Sequence, residues 1–371
     1  MRGQKHRLPV PVVVLLLVLV TLPPCELASR SETHNRPLTD EQTADQNLQF
    51  MLSLYRSAAE PGGRPKKHRK FGSNTVRLLK ASASSVRYLP VSTEDHHYAF
   101  SVQYELELLP SERLIRASFV HLRASSPTAM APPRCHARVA LSGGETLFST
   151  MEPHQRWKES HLGARVLRPS GGRLTVRARY RCTESGPRAD RIRGAPHLEA
   201  PSLLLYLEEE RDGKDWMMAQ LSGAKGGDEL TRRLSRWHPS VSRRRRSSDP
   251  AFVIASLAAS VKRDTSEPKN RCKLHPFRLS FEELDLGHYI APPVYNPRFC
   301  QGDCPRVLTY DYHSPNHAII QTKINELGMG DVPPPSCVPY KYMPMSVLVK
   351  HKKKVEYKEL DDMVAESCTC R

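Results

Sequence analysis

The residues of this chain with the most distinctive chemistry are nine cysteines, six of which lie in the last 100 residues. Four of those six stand in two tight groups, C-x-G-x-C at residues 300–304 and C-x-C at residues 368–370. These spacings do not fit a zinc finger, and an oxidising compartment would turn such cysteines into disulfides. Because six cysteines allow 15 pairings, the spacing alone does not select one. Cys135 and Cys182 stand apart and could pair with each other.

A second distinctive pattern is the run of four arginines from Arg243 to Arg246, which is flanked by serines. Arg243 and Arg246 form an R-x-x-R pattern, and a row of guanidinium groups suits the acidic subsites of a furin-type proprotein convertase. Cleavage after Arg246 would leave 371 − 246 = 125 residues, 247–371. The alternative is a solvated basic loop, and Lys262–Arg263 is a weaker dibasic site.

The beginning of the chain predicts its compartment. A basic start is followed by an almost unbroken apolar run from Leu8 to Leu22, which ends at Pro23, Pro24 and Cys25. This run has the length and flanks of a secretory signal peptide and is short for a transmembrane helix, although an uncleaved anchor is the alternative. We therefore expect a signal peptide over residues 1–25, with its end between 25 and 29, and a secreted, extracellular protein.

The net charge of +17 is unevenly distributed along the chain. Residues 247–371 carry 16 basic and 15 acidic side chains, so the first 246 residues hold 56 − 16 = 40 basic and 39 − 15 = 24 acidic ones. The basic excess therefore belongs to the segment that cleavage would remove. Nucleic-acid binding by the C-terminal piece is not expected, whereas the excess suggests the hypothesis that the N-terminal piece is retained near acidic matrix.

Residues 26–246 have the pattern of a folded propeptide of α+β class, rich in strands and preceded by a helix. Leu48, Met51, Leu52 and Tyr55 line one face of a helix expected over residues 40–59, which Pro61-Gly62-Gly63 would end. Alternating patterns predict strands over residues 98–106, 114–122, 173–180 and 202–207. The basic loop 64–70 between these parts is expected to be a solvated linker, with glycosaminoglycan binding as the alternative.

Residues 247–371 have too little apolar periodicity for a large core, so disulfides must supply much of their stability. Extended patterns favour two two-stranded ribbons, over residues 272–300 and 337–368. A helix is expected between them, with Ser314 as N-cap, Pro315 at its first position and Gly328 after its end. Its apolar face, Ile320, Ile324 and Leu327, would need a partner. The turn 350–354 is charged, and either heparan sulfate or solvent would contact it.

Five short sequence motifs accompany the distinctive cysteine spacing. They are 275–277 (HPF), 291–293 (APP), 314–321 (SPNHAIIQ), 337–342 (CVPYKY) and 365–371 (AESCTCR). With the cysteine spacing, they resemble the cystine-knot growth factors of the transforming growth factor β superfamily, over all of residues 247–371 and more weakly at residues 48–56. The resemblance implies a small, disulfide-rich, all-β cystine knot with two β-ribbon fingers and one helix. It also implies the pairs Cys272–Cys337, Cys300–Cys368 and Cys304–Cys370. The last two close an eight-residue ring through which the first passes, and a side chain at Gly302 would crowd that ring.

The resemblance further implies two receptor-binding surfaces and a dimer. The wrist, which would bind a type I receptor, matches Leu286, Tyr289, Leu308, Asn316 and Ile319. The knuckle, which would bind a type II receptor, matches Ala291, Ser346, Leu348 and Tyr357. Leu286 and Tyr289 stand where the family usually has two tryptophans, so the type I contact is altered. Ser336 replaces the cysteine that usually joins the two subunits, so we expect a non-covalent homodimer or a heterodimer with a related ligand.

The resemblance thus implies a growth factor precursor of the oocyte-secreted branch, acting on ovarian follicle and granulosa cells. Its partners would be type I and type II receptor serine/threonine kinases, with Smad signalling inside the target cell, and its own propeptide would shield the apolar palm of the dimer. We expect no cofactor and no metal. An enzyme is not expected, since G-x-S-x-G and H-E-x-x-H motifs are absent from the sequence. The alternative is a secreted cystine-knot antagonist or matrix-binding module that does not activate receptors.

Overall fold

The computed structural model describes residues 39–89, 95–124, 132–141, 144–162, 172–183, 196–209, 270–352 and 354–371. The described residues all belong to one structural unit, Pro37–Arg371. The expected signal peptide and the expected cleavage site at Arg243 and Arg246 lie outside them. Within the described part of the chain, every helix is too short or too polar to cross a membrane.

The helix expected over residues 40–59 is present but consists of two parts, α1 (Asp40–Ala44) and α2 (Gln46–Ala58). The prediction of one continuous helix is wrong because Asp45 has extended backbone angles and caps α2. Its carboxylate accepts hydrogen bonds from the backbone N–H groups of Asn47 and Leu48, which would otherwise lack partners at the helix N-terminus. Periodicity alone does not show this break, because the apolar face begins only at Leu48.

The described residues of segment 26–246, the expected propeptide and called the propeptide below, form nine strands, and the four that were predicted are among them. Their bounds are β1 (Thr75–Leu79), β2 (Ala83–Tyr88), β3 (Asp95–Glu105), β4 (Glu112–Leu122), β5 (Arg134–Leu141), β6 (Thr146–Met151), β7 (Trp157–Leu162), β8 (Arg173–Thr183) and β9 (Ser202–Glu209). β8 has strict alternation of exposed and buried side chains, which is the pattern of a strand with one face on a core. β2 was missed because every one of its residues is exposed.

The described residues of the C-terminal piece, from residue 270 onward, form five strands: β10 (Lys273–His275), β11 (Tyr289–Ala291), β12 (Phe299–Gln301), β13 (Cys337–His351) and β14 (Lys354–Cys370). The second predicted ribbon is the long antiparallel hairpin of β13 and β14. The first ribbon is less regular than predicted. Only β10 and β12 pair with each other, and β11 pairs with β13 instead.

Strands of both pieces join one sheet. A seven-stranded sheet has the order β11-β13-β14-β1-β9-β4-β7, and a five-stranded sheet has the order β2-β3-β8-β5-β6. The two sheets share a core that includes Phe119, Val176 and Leu205. The opposite face of the seven-stranded sheet is covered by α2, in a second core that includes Met51, Leu78 and Tyr357. The propeptide and the C-terminal piece are thus held together by backbone pairing and by a common core.

The helix of the C-terminal piece, α3, spans Asn316–Glu326. Ser314 is not its N-cap: Pro315 occupies that position, and the Ser314 hydroxyl makes no hydrogen bond. The end is as predicted, because Gly328 follows the C-cap with a φ of +64°, a conformation that glycine adopts without strain. Of the predicted apolar face, Ile324 is half-buried while Ile320 and Leu327 are 60% and 61% exposed.

Candidate functional site

The centre of the C-terminal piece is a knot of three disulfides. The bonds are Cys272–Cys337, Cys300–Cys368 and Cys304–Cys370, as the resemblance implies, and Cys135–Cys182 joins facing residues of β5 and β8 in the propeptide. The sulfur atoms of Cys272, Cys304 and Cys370 lie within 4.8 Å of one another. All three belong to disulfides, so this cluster offers no thiolate to a metal ion.

Gly302 is the residue that lets the chain pass through the knot. Its φ is +125°, and a Cβ at this position would overlap the backbone carbonyl of Arg271 and lie 2.8 Å from the carbonyl oxygen of Asn270. The segment that leads into Cys272 therefore occupies the space beside Gly302. The sequence argument for a glycine in the ring has a direct steric basis here.

The four predicted knuckle residues, Ala291, Ser346, Leu348 and Tyr357, lie together on the sheet of the second finger, and all are buried. β13 and β14 place Leu348 directly opposite Tyr357, and the Ser346 and Tyr357 hydroxyl groups are 2.9 Å apart. Burial raises the pKa of Tyr357 to about 12, so this hydroxyl stays protonated near neutral pH. The fold brings the four residues together, and their contact with a type II receptor stays a prediction.

The propeptide covers this knuckle. The helix α2 lies over it, and the ring of Tyr55 meets the ring of Tyr357 edge to face at 6.3 Å. Phe71, beyond the helix, makes a second such contact with Tyr357 at 5.4 Å. Tyr55 and Tyr357 belong to the same core cluster as Ala291 and Leu348. The covered surface is mostly apolar, so its exposure to water would be unfavourable.

The turn after α2 contacts the knuckle through its backbone. The Ser346 N–H donates to the Gly63 carbonyl oxygen at 2.7 Å. Gly63 has a φ of +86°, and a Cβ there would lie 2.8 Å from Met345 Cγ and 3.0 Å from Pro292 Cγ. The sequence assigned this glycine only to ending the helix. Its close approach to the finger was not visible from local pattern.

Backbone pairing extends the cover along β14. β1 pairs antiparallel with residues 354–358, from Leu79 opposite Lys354 to Thr75 opposite Lys358. Arg77 lies opposite Glu356 and bonds its carboxylate through Nε, while its two terminal nitrogens bond Glu112 of β4 at 3.0 and 2.5 Å. All three side chains are nearly inaccessible to water. Burial alone would raise the pKa of Glu356, but Arg77 and Lys358 outweigh it and hold that pKa below its usual value.

The basic loop 64–70 is mostly exposed to solvent, as the sequence predicted, but it also makes contacts that the prediction did not include. The ammonium groups of Lys66 and Lys70 donate to the carbonyl oxygens of Arg56 and Ser57, at the C-terminal end of α2. Cations are favourable at that end of a helix because its carbonyls lack partners. The next residues reach the finger, where His68 Nδ1 lies 2.5 Å from Glu359 Oε1. The loop therefore fixes the helix onto the knuckle.

The charged turn at the tip of the second finger also meets the propeptide. Lys350 pairs with Asp45 at 3.2 Å, and Lys354 pairs with Glu107 at 3.0 Å. The sequence predicted that this tip contacts either solvent or heparan sulfate. It did not predict the two ion pairs with propeptide carboxylates. The Lys354–Glu107 pair is exposed and contributes little to stability, whereas the Lys350–Asp45 pair is half-buried, with side chains 21% and 10% exposed.

The five predicted wrist residues fall into two groups. Leu286 and Tyr289, which replace the family's tryptophans, are 1% and 8% exposed, and Tyr289 stacks on Phe281 at 4.4 Å. Both belong to a core within the C-terminal piece. Leu308 is half-buried, and Asn316 and Ile319, on α3, are exposed. The wrist therefore has helix residues available for contact, whereas its two finger residues are used in packing.

The α3 face that would meet a second subunit is exposed, with Ile320 and Leu327 at 60% and 61%. The described propeptide residues cover the knuckle, and shielding of the palm by the propeptide stays a prediction. Ser336 is exposed, and its backbone pairs with that of Arg371 through N–H···O contacts of 2.8 and 3.0 Å. The exposed face of α3 and the position of Ser336 are both available to a second subunit.

Comparisons with known proteins agree with the geometry. The model of the transforming growth factor beta like domain matches residues 271–370. Bone morphogenetic protein 15 of Mus musculus is 35% identical over 348 residues, which cover 87% of this chain and 84% of that protein. The Homo sapiens protein of the same name is 34% identical, with 88% and 83% covered. Growth/differentiation factor 9 of Homo sapiens is 51% identical over 106 residues, 28% of this chain and 23% of that protein.

Proposed function

This chain belongs to the transforming growth factor β superfamily of growth factors, and we propose that it is the precursor of a secreted ligand for receptor serine/threonine kinases. Cleavage after Arg246 releases the ligand, residues 247–371, from the propeptide, residues 26–246. The dimeric ligand then binds type I and type II receptors together and triggers Smad signalling. By likeness to bone morphogenetic protein 15 and growth/differentiation factor 9, its target is the ovarian follicle and its granulosa cells.

One observation carries this proposal: Ala291, Ser346, Leu348 and Tyr357 form a single apolar patch that the propeptide covers. The family resemblance assigns the same four residues to the type II receptor contact. A patch of this kind is stable in water only while something covers it. In the precursor the propeptide is the cover, and in the signalling complex the receptor takes its place.

The proposed dimer is non-covalent. Its contact surface includes the exposed α3 residues Ile320 and Leu327, and Ser336 has no thiol with which to join the subunits. A non-covalent dimer exchanges subunits, so a heterodimer with a growth/differentiation factor 9-like ligand is part of the proposal. Two copies of each surface in one dimer also let weak single contacts add up to useful avidity.

A comparison of receptor binding by two forms of the protein tests the proposal. A soluble type II receptor ectodomain is titrated onto the processed ligand and onto a precursor that carries Arg243→Ala and Arg246→Ala. We expect strong binding to the first and at least tenfold weaker binding to the second, together with Smad phosphorylation in granulosa cells only by the first. Equal binding to both forms would show that the covered patch is not the type II site.

A second function is favoured by one specific observation, the burial of Leu286 and Tyr289 in the subunit core. A ligand that offers no large anchor at the wrist could bind type II receptors without recruiting type I receptors. It would then act as a secreted antagonist. The same cell assay separates the two functions, because an antagonist binds the ectodomain but produces no Smad phosphorylation and reduces the response to an active ligand.

A further inference from the structure

The outer face of the five-stranded sheet of the propeptide carries a dense group of arginines. β8 directs Leu174, Val176 and Ala178 into the core, so its alternate residues point to solvent. Those alternate residues include Arg177, Arg179 and Arg181, all of which are exposed. None of them belongs to the knuckle cover or to the disulfide, and the function proposed above makes no use of them.

The strand register brings further arginines to the same face. On one side of β8, Arg179 lies directly opposite Arg138 of β5. On the other side, Arg179 lies opposite Ala99 of β3, and Ala99 lies opposite Arg87 of β2. Residues that face each other across antiparallel strands project to the same side of a sheet. With strands roughly 4.8 Å apart, the row Arg87–Arg179–Arg138 spans about 14 Å. Arg177 and Arg181 extend the patch by roughly 7 Å in each direction along β8.

Within the part of the chain that the structure describes, Arg138, Arg177 and Arg179 at the centre of this patch form no ion pair. Arg134 pairs with Glu152, and Arg173 lies opposite Glu105, so the two ends of the patch have carboxylates nearby. Among the described residues, Arg177 and Arg179 have no hydrogen bond and no ion pair. The guanidinium of Arg138 lies 5.6 Å from the centre of the Phe148 ring.

This arrangement is unfavourable for the propeptide by itself. Like charges directly opposite each other destabilise a sheet, as Arg138 and Arg179 do here. An extended polyanion that lies along the face would relieve the repulsion. Arginine suits such a ligand because its planar guanidinium donates two parallel hydrogen bonds to one sulfate or carboxylate group.

We propose that this sheet face, defined by Arg87, Arg138, Arg177, Arg179 and Arg181, binds a sulfated polysaccharide of the heparan sulfate type. The repeating negative charges of an extended sulfated chain complement a flat face of about 14 by 13 Å. The face lies on the sheet opposite the one that continues into the finger. The propeptide can therefore hold the polysaccharide while it still covers the knuckle, and would keep the ligand near the matrix.

The test uses the secreted full-length chain on immobilised heparin. The sheet variant carries Arg138→Gln, Arg177→Gln and Arg179→Gln, which keep much of the length of the stems. The matched control carries Arg56→Gln, Arg64→Gln and Lys67→Gln, which removes the same charge from exposed residues in and beside the basic loop. All proteins retain residues 243–246, so the contribution of that run cancels in the comparison.

We expect the sheet variant to bind heparin at least tenfold more weakly than the unmodified chain, with a shallower dependence of affinity on salt, because fewer counterions are released. The loop control should change by less than threefold. We expect both variants to be secreted with the Cys135–Cys182 bond formed, and a midpoint of thermal unfolding that is not lowered checks that each of them folds. Chemically desulfated heparin should bind none of the proteins strongly.

Three results would overturn the proposal. The first is equal heparin binding by the sheet variant and the unmodified chain. The second is a larger loss in the loop control, which would place the site at residues 64–70. The third is an unmodified chain that does not bind heparin but binds phosphatidylserine vesicles tightly, with the vesicle binding lost in the sheet variant. That result would identify the face as a membrane contact.

Discussion

Replacing Arg77 with methionine should release the propeptide from the finger. Arg77 is the only described cation that joins Glu112 of the propeptide to Glu356 of the finger, and all three side chains are at most 8% exposed. Methionine keeps much of the volume but removes the guanidinium that pairs with both buried carboxylates. Breaking a buried ion pair in this way costs about 3–5 kcal/mol. Since about 1.4 kcal/mol is a factor of ten, the affinity should fall by at least roughly 100-fold.

The assay measures how tightly the cleaved propeptide holds the mature piece. The precursor is cut with a convertase, and the fraction of complex that survives dilution is followed by size-exclusion chromatography. Lys354→Met is the matched control, because Lys354 also pairs across the same interface, with Glu107, but at exposed positions. We expect that control to dissociate like the unmodified protein, since exposed pairs contribute little.

A rescue variant separates the loss of a contact from the burial of stranded charge. Arg77→Met combined with Glu112→Leu and Glu356→Leu replaces the whole ionic group with apolar side chains. Such replacements are often neutral or stabilising, so the complex should recover. The reasoning is refuted if Arg77→Met behaves like the Lys354→Met control, or if the triple variant dissociates as readily as Arg77→Met.

Three further outcomes are expected. Gly302→Ala should block completion of the knot, because its Cβ would overlap the Arg271 carbonyl, whereas a Cβ at Gly287 meets open space and Gly287→Ala should leave the knot intact. Non-reducing gels and free-thiol counts measure whether the disulfides form. Secretion of a fully bridged Gly302→Ala protein would contradict the prediction. Ser336→Cys should yield a dimer that persists without reductant and is lost with it, and a monomer band alone would mean that the two copies of this position do not meet. Burial lowers the pKa of His121 to about 4, so the folded propeptide excludes a proton that the unfolded chain binds below pH 6.5. Stability should therefore fall by about 2 kcal/mol from pH 7 to pH 5, as measured by urea unfolding of the uncleaved precursor, and His121→Leu should abolish that fall; an equal fall in the variant would assign it to other groups.

The sequence predicted best where a local pattern and a structural need coincide. The apolar face of α2, the alternation in β8 and the cysteine spacing each reflect a buried surface or a covalent constraint within a short stretch. Family resemblance supplied the disulfide pairing and the identity of the knuckle residues, which spacing alone had left open. It could not show that the knuckle is buried, because no sequence pattern in residues 247–371 indicates what covers them.

The missed features depend on contacts between residues far apart in the chain. Arg77 reads as one polar residue in a short strand, and its partner Glu356 is 279 residues away. Ser314 has the right type for an N-cap, but the backbone of Pro315 takes that position and the first turn begins one residue later than expected. The arginines of the outer sheet face are separated by strands whose order only the fold determines.

The pairing of β1 with β14 has a consequence for the ligand after it is released. Removal of β1 leaves those backbone N–H and C=O groups of residues 354–358 that face away from β13 without strand partners, and such an edge invites pairing with another copy. Lys354, Glu356 and Lys358 alternate along that edge. If two copies paired antiparallel about Glu356, each Lys354 would face a Lys358 and the two Glu356 side chains would face each other. Like charges opposed in this way disfavour the pairing, so the same side chains that bind the propeptide would afterwards protect the free ligand from aggregation.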